Sequence, residues 1–225
     1  MFLKMLPNTL GFAAVLGVLL FLPAGTLAWP QAWVFMVLFI GCSQATGLWL
    51  ARTDPDLLAA RMRSPLAGQQ THRDRAVMLA IVIGMAGWLV VMALDARRFG
   101  WSRDPLWAQA LGAVLILAAF WGWTRVLRAN SFAATTIEIQ AERGQTVISS
   151  GPYALVRHPM YAYALLLMIG APLLLSSLWG LLGLVLFAPL LAARALGEEA
   201  LLMDGLDGYR DYAGKVRFRL VPGVW

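Results

Sequence analysis

Residues 151–166, GPYALVRHPMYAYALL, gather a glycine, three tyrosines, an arginine, a histidine and two prolines at the entrance of an apolar run, in a chain with only two histidines. Pro159 suits the first turn of a helix, where its missing N–H leaves no bond unmade, and this puts His158 at or next to the cap. The free N–H groups of such a turn create a positive local potential that favours an anion such as a carboxylate. Tyr153, Tyr161 and Tyr163 offer aromatic faces and hydroxyls to a flat ligand with polar edges. A second cluster, LLAARALGEEALL over 190–202, sets Arg194 and Glu198 four apart on one helical face, with Glu199 beside them. An arginine still inside an apolar run is costly unless it is paired or faces a cavity. The alternative is that Arg194 snorkels to the headgroups and the glutamates are solvated. A helical hairpin over 160–197 would return this cluster to the face that carries His158, so that both line one pocket at the rim of a bilayer.

Other chemistry is scarce. His72 lies in QQTHRDR with no carboxylate or second histidine at ligand spacing, so no metal site is expected. No nucleophile elbow, phosphate loop or GxGxxG precedes a helix. Cys42, the single cysteine, lies in an apolar run and is read as a buried structural thiol.

The elements that must position these residues are membrane helices. The chain has 225 residues, 60% hydrophobic and 13% charged, where a soluble domain is about half apolar and about a quarter charged. Apolar stretches over 10–29, 31–51, 76–94, 106–127, 160–176 and 179–197 predict an all-α, polytopic transmembrane bundle, six spans favoured and five the alternative. Lys4 ahead of an apolar core and the small residues of GTLA give 1–28 some features of a secretory signal. The immediate return into the membrane at WPQAW makes it the first span instead. DPDLLAARM predicts a short interfacial helix near 54–63. Trp29, Trp33, Trp101, Trp107 and Trp179 fall near span ends and are read as headgroup anchors.

The net charge of +6 comes from basic residues scattered between apolar segments, which excludes a nucleic-acid face and points to topology. Arg52, Arg61, Arg63, Arg73 and Arg75 share one loop. Arg125, Arg128, Arg143 and Arg157 flank another, and Arg210, Lys215, Arg217 and Arg219 lie in the tail. With six spans these fall on one side, the cytoplasmic one, together with both termini; Arg97, Arg98 and Arg103 in the loop 95–105 are the exception. The polar passage 130–158 predicts an extended, partly ordered loop on that face. The chain thus divides into N-terminal helices over 1–128 and a ligand-binding region over 129–225, comprising cytoplasmic loop, hairpin and polar tail.

GPYALVRHPMYAYALL, followed by EEALLMDGLDGYRDYAGKVRFRLVPGVW, resembles the isoprenylcysteine carboxyl methyltransferase family over roughly residues 130–225. LDARRFGWS and IEIQAERGQTVISSGPY are similar to its bacterial members in particular. The resemblance implies an integral enzyme of the bacterial inner membrane that uses S-adenosylmethionine (SAM), with its active site facing the cytoplasm and a lipophilic, membrane-borne acceptor. It implies SAM contacts from Gln145, from the turn Gly151, Pro152, Tyr153 and Ala154, from His158 and Tyr161, and from Glu198. Family members often have histidine where this chain has Gln145. Arg194 falls where eukaryotic members place a substrate-binding arginine; Arg157, Glu199, Tyr209, Tyr212 and Arg217 are further candidates. No metal is implied, and the oligomeric state and the acceptor (carboxylate, thiol or amine) stay open. Two rival readings remain: a membrane sterol or steroid reductase using NADPH, whose C-terminal hairpin is related, and a small transporter or assembly protein whose charges only set topology.

Overall fold

A computed structural model describes residues 2–63 and 72–225, the side chains of 2–6 and 73 excepted. The middle of the arginine-rich loop, with the Lys4 and Arg73 side chains, therefore lies outside the described residues. Among the described residues eight α-helices follow one another: α1 Phe2–Ala24, α2 Pro30–Thr53, α3 Pro55–Met62, α4 His72–Ala93, α5 Leu106–Ala129, α6 Pro159–Leu175, α7 Gly183–Gly205 and α8 Tyr209–Lys215. There is no strand among the described residues. The polar passage between α5 and α6 is irregular apart from single turns at Ala141–Arg143 and Gly151–Ala154.

Among the described residues, five helices are long and apolar enough to cross a membrane. Their apolar side chains point outward as well as inward, with Leu22, Val37, Leu106 and Val185 all more than two-thirds exposed on the isolated chain. Water would reject such a surface, whereas hydrocarbon accepts it. The core between the helices is equally apolar, built on Leu20, Met92, Ile116, Leu175 and Phe187.

A further apolar helix, α6, is shorter. α6 has 17 residues, about 26 Å at the α-helical rise and less than the hydrocarbon thickness. It nevertheless runs from one end of the bundle to the other. Trp123 near the end of α5 donates to Met160 O at 2.9 Å, while the Asp104 amide ahead of α5 donates to Ser176 Oγ at 2.8 Å. The two helices are antiparallel and in backbone contact: a Cβ on Gly112 would meet the Leu174 amide nitrogen and the Gly170 carbonyl, and one on Gly122 the Tyr163 ring. Small residues at such crossings let helices approach where no hydrophobic effect drives them together.

The far end of the hairpin is fastened by one carboxylate. Asp95, fully buried in a π-turn over Leu94–Phe99 that continues α4, accepts from Ser102 Oγ at 2.8 Å, Ser177 Oγ at 2.6 Å and the Trp179 amide at 3.2 Å. Trp88 adds a 2.6 Å bond to Gly180 O. With its turn pinned there, the hairpin delivers the start of α6 and the end of α7 together at the opposite end.

Two sequence expectations are corrected. Trp29 is no headgroup anchor: it is 2% exposed, with its ring edge-on to Phe21 inside the core. The turn after α1 tucks this residue inward, while Trp33, Trp101, Trp107 and Trp179 are exposed. Cys42 is free and only half-buried. The last helix runs past the apolar stretch to Gly205 and carries Arg194, Glu198 and Glu199 inside it, because Glu, Ala, Leu and Met all favour helix. The short helix near 54–63 is present, and the Asp54 side chain caps it by accepting from the Leu57 amide at 3.0 Å.

Candidate ligand-binding site

At the end of the bundle where α5 stops and α6 starts lies a cavity of about 420 Å³. Its walls come from α4, α5, α6, α7, α8 and the passage 130–148. The two polar clusters of the sequence meet here. His158, in the cap position of α6 and 5% exposed, stacks on the Tyr161 ring with centroids 5.6 Å apart. Its Nδ1 lies 3.5 Å from Glu198 Oε2 and its Nε2 3.1 Å from Glu199 Oε1. The Tyr161 hydroxyl donates to Glu198 Oε2 at 2.9 Å. Glu198 is half-buried and faces the cavity.

Glu199 does not line the cavity. It is buried behind it, where Arg157 Nη1 at 3.2 Å and Arg219 Nε at 3.0 Å join His158 on its two oxygens. Arg157 also donates to Arg217 O at 3.2 Å, the part that Arg217 takes in this network. Burial alone would strip the proton from the His158 ring. Hydrogen bonds and charge from Glu198 and Glu199 outweigh it and push the pKa up to about 9, so the ring is a cation at neutral pH.

Arg194 is 7% exposed and does not snorkel. Its Nη2 donates to Thr135 O at 2.6 Å, Nη1 approaches Met78 Sδ at 3.4 Å, and Nε lies 3.8 Å from Asp74 Oδ1 in the first turn of α4. A buried arginine is tolerated because a carboxylate and a carbonyl meet it.

Gln145 lines the cavity, although its Oε1 is engaged by the Gln140 amide at 2.7 Å. Of the turn Gly151, Pro152, Tyr153 and Ala154, only Tyr153 reaches the wall; Gly151 and Ala154 are exposed and Pro152 is packed away. The Tyr153 hydroxyl accepts from Asn130 Nδ2 at 2.8 Å, and Tyr212 donates to Tyr153 O at 2.8 Å. Tyr209 and Tyr212 of α8 line the cavity, whereas the Tyr163 ring packs on Gly122 instead. Burial raises the phenols of Tyr153 and Tyr209, and that of Tyr212 to about 12, so all three are neutral donors at neutral pH and none is a base.

Sequence reasoning missed Asp74, Thr135, Thr136, Asn130 and Arg219. Asn130, Thr135 and Thr136 sit in a polar passage that carries no helical period, Asp74 sits among charges at the start of α4 that read as a loop, and Arg219 sits in a basic tail that reads as solvated. His72 is exposed at the start of α4, and no group of three or more metal-ligating side chains occurs among the described residues.

Four buried polar atoms of cavity-lining residues have no hydrogen-bond partner: Thr135 Oγ1, Thr136 Oγ1, Arg157 Nε and Arg194 Nε. Each such atom costs on the order of 1–3 kcal/mol. No curated protein matches the chain. Residues 107–205, from the second residue of α5 to the last of α7, match the family model described as phospholipid methyltransferase, so the chain is similar to that family in the stretch that builds most of the cavity.

Proposed function

We propose that this chain is a SAM-dependent methyltransferase acting on a lipophilic acceptor borne by the membrane. The observation that carries the reading is the cavity itself: a cationic imidazole, a cavity-facing carboxylate and a buried arginine stand around one chamber against apolar walls. The match of residues 107–205 to phospholipid methyltransferases gives those groups a chemistry.

The residues suit the cofactor. SAM, when bound, supplies an electrophilic methyl group on a sulfonium. Glu198 would accept from its ammonium or ribose hydroxyls, and the positive charge of His158 would favour its carboxylate. Tyr153 and Phe132, both lining the cavity, could offer rings to its adenine. Tyr161 holds Glu198 in place from within α6.

Arg194 would orient the acceptor. Methyl transfer is an in-line displacement whose main demand is alignment of nucleophile and methyl group. An isoprenylcysteine-type carboxylate, or a similar small lipid, would place its anion at Arg194 and its chain along Met78, Trp123, Leu201 and Leu202. A carboxylate nucleophile needs no general base, in keeping with neutral phenols around it. The site would face the cytoplasm at a bacterial inner membrane.

Calorimetry on detergent-purified protein tests this. SAM and S-adenosylhomocysteine are expected to bind, and Glu198→Gln to weaken both roughly 10- to 100-fold, the value of one hydrogen bond to a charged group. Binding of NADPH in place of SAM would move the chain to the membrane reductases. Binding of neither would leave the non-enzymatic reading.

A further inference from the structure

The stretch that matches the methyltransferase family ends at residue 205, yet the network behind the cavity is completed by residues that come later. After α8 the chain crosses back over the start of α6. The Arg157 amide donates to Phe218 O and the His158 amide to Arg219 O, both at 2.9 Å. These two bonds hold the residues that lead into α6. Arg219 Nε then donates to Glu199 Oε2 at 3.0 Å. Its guanidinium lies 5.2 Å over the Trp225 ring, and Trp225 O in turn accepts from the Leu220 amide at 2.9 Å and the Val221 amide at 3.1 Å. The last residues thus close on themselves and clamp Arg219 between an indole face and a carboxylate.

The two oxygens of Glu199 are divided. Oε1 takes Arg157 and the Nε2 of His158; Oε2 takes Arg219. The terminal torsion of a glutamate is soft and broad. With a partner on each oxygen the carboxylate plane is set, and with it the direction in which the His158 ring can donate. The ring's other nitrogen points to Glu198, the carboxylate that faces the cavity. Arg219 does not line the cavity, so it acts only through this chain of contacts.

We propose that Arg219 is a positioning residue of the site: by pinning Glu199 it fixes the His158 ring toward Glu198, which makes the carboxy-terminal segment part of the ligand-binding machinery. The affinity arm of the test rests on the SAM reading above; the spectroscopic arm does not.

The contact is made by Nε alone, so a lysine can replace it where a two-point guanidinium contact would not allow that. The test uses the full chain in detergent with labelled histidine, His72→Gln assigning the only other imidazole. In the wild type, His158 should show a slowly exchanging, downfield Nε2–H resonance from its bond to Glu199. Arg219→Gln should broaden or remove it and weaken SAM binding about tenfold, the value of one charge-assisted bond, while Arg219→Lys keeps the resonance and stays within about threefold. If the Gln variant does not fold, the same two readings on Trp225→Ala decide, with a smaller loss of the same sign expected. An unchanged resonance and unchanged affinity in the Gln variant would overturn the proposal, as would equal losses in Gln and Lys, which would mark mere packing. Should the wild type not bind SAM, the functional reading falls and the resonance alone judges Arg219.

Discussion

His158 is a cation in the folded chain because two glutamates outbid its burial, and this makes the site sensitive to pH with a definite sign. Its pKa rises from an ordinary 6.5 to about 9. A raised folded-state value means the stabilisation is fully present below about 6.5 and is lost as pH climbs through about 9. The melting temperature in detergent should therefore fall across that interval, and His158→Gln should flatten the fall; a parallel fall in the variant would assign the dependence elsewhere. At this scale the sequence was legible where polar residues interrupt apolar runs: His158, Tyr161, Arg194 and Glu198 stand out for that reason. Asp74 and Arg219 do not, because a charge in a polar passage looks solvated until a fold buries its partner. The turn at 151–154 was legible as a unit, but only Tyr153 of it reaches the cavity.

Between the elements, the α5–α6 pair decides where the site stands. Gly112 and Gly170 meet backbone to backbone, and a side chain there cannot be accommodated by a rotamer change alone. Gly112→Val should cost at least the roughly 1–3 kcal/mol of overpacking and lower the melting temperature. Gly11→Val, where an added Cβ meets nothing within 4 Å, is the control and should change little. Thermal unfolding followed by tryptophan fluorescence separates the two. Hydropathy made the helices legible, since each is a long apolar run between polar breaks. It could not show that α6 completes a traverse with 17 residues, because its ends are carried by bonds to Trp123 and Asp104.

Across the whole molecule, two ends differ in purpose. One is closed by Asp95 and carries the turns at 25–29 and 176–182; the other holds the cavity, α3, α8 and most of the basic residues. In the orientation we propose from charge bias, the second end faces the cytoplasm. In a Cys42→Ser background, Ser150→Cys should react with an impermeant maleimide in inside-out membrane vesicles and Ala28→Cys in right-side-out ones; the reverse pattern would invert the topology. The central claim concerns transfer of a methyl group, and the most direct measurement follows it. Protein reconstituted in membrane lipids with methyl-labelled SAM should move label into the organic extract, and Glu198→Gln should abolish most of that transfer. A wild-type protein that binds SAM, is offered the full range of membrane lipids and leaves the extract unlabelled would contradict the account.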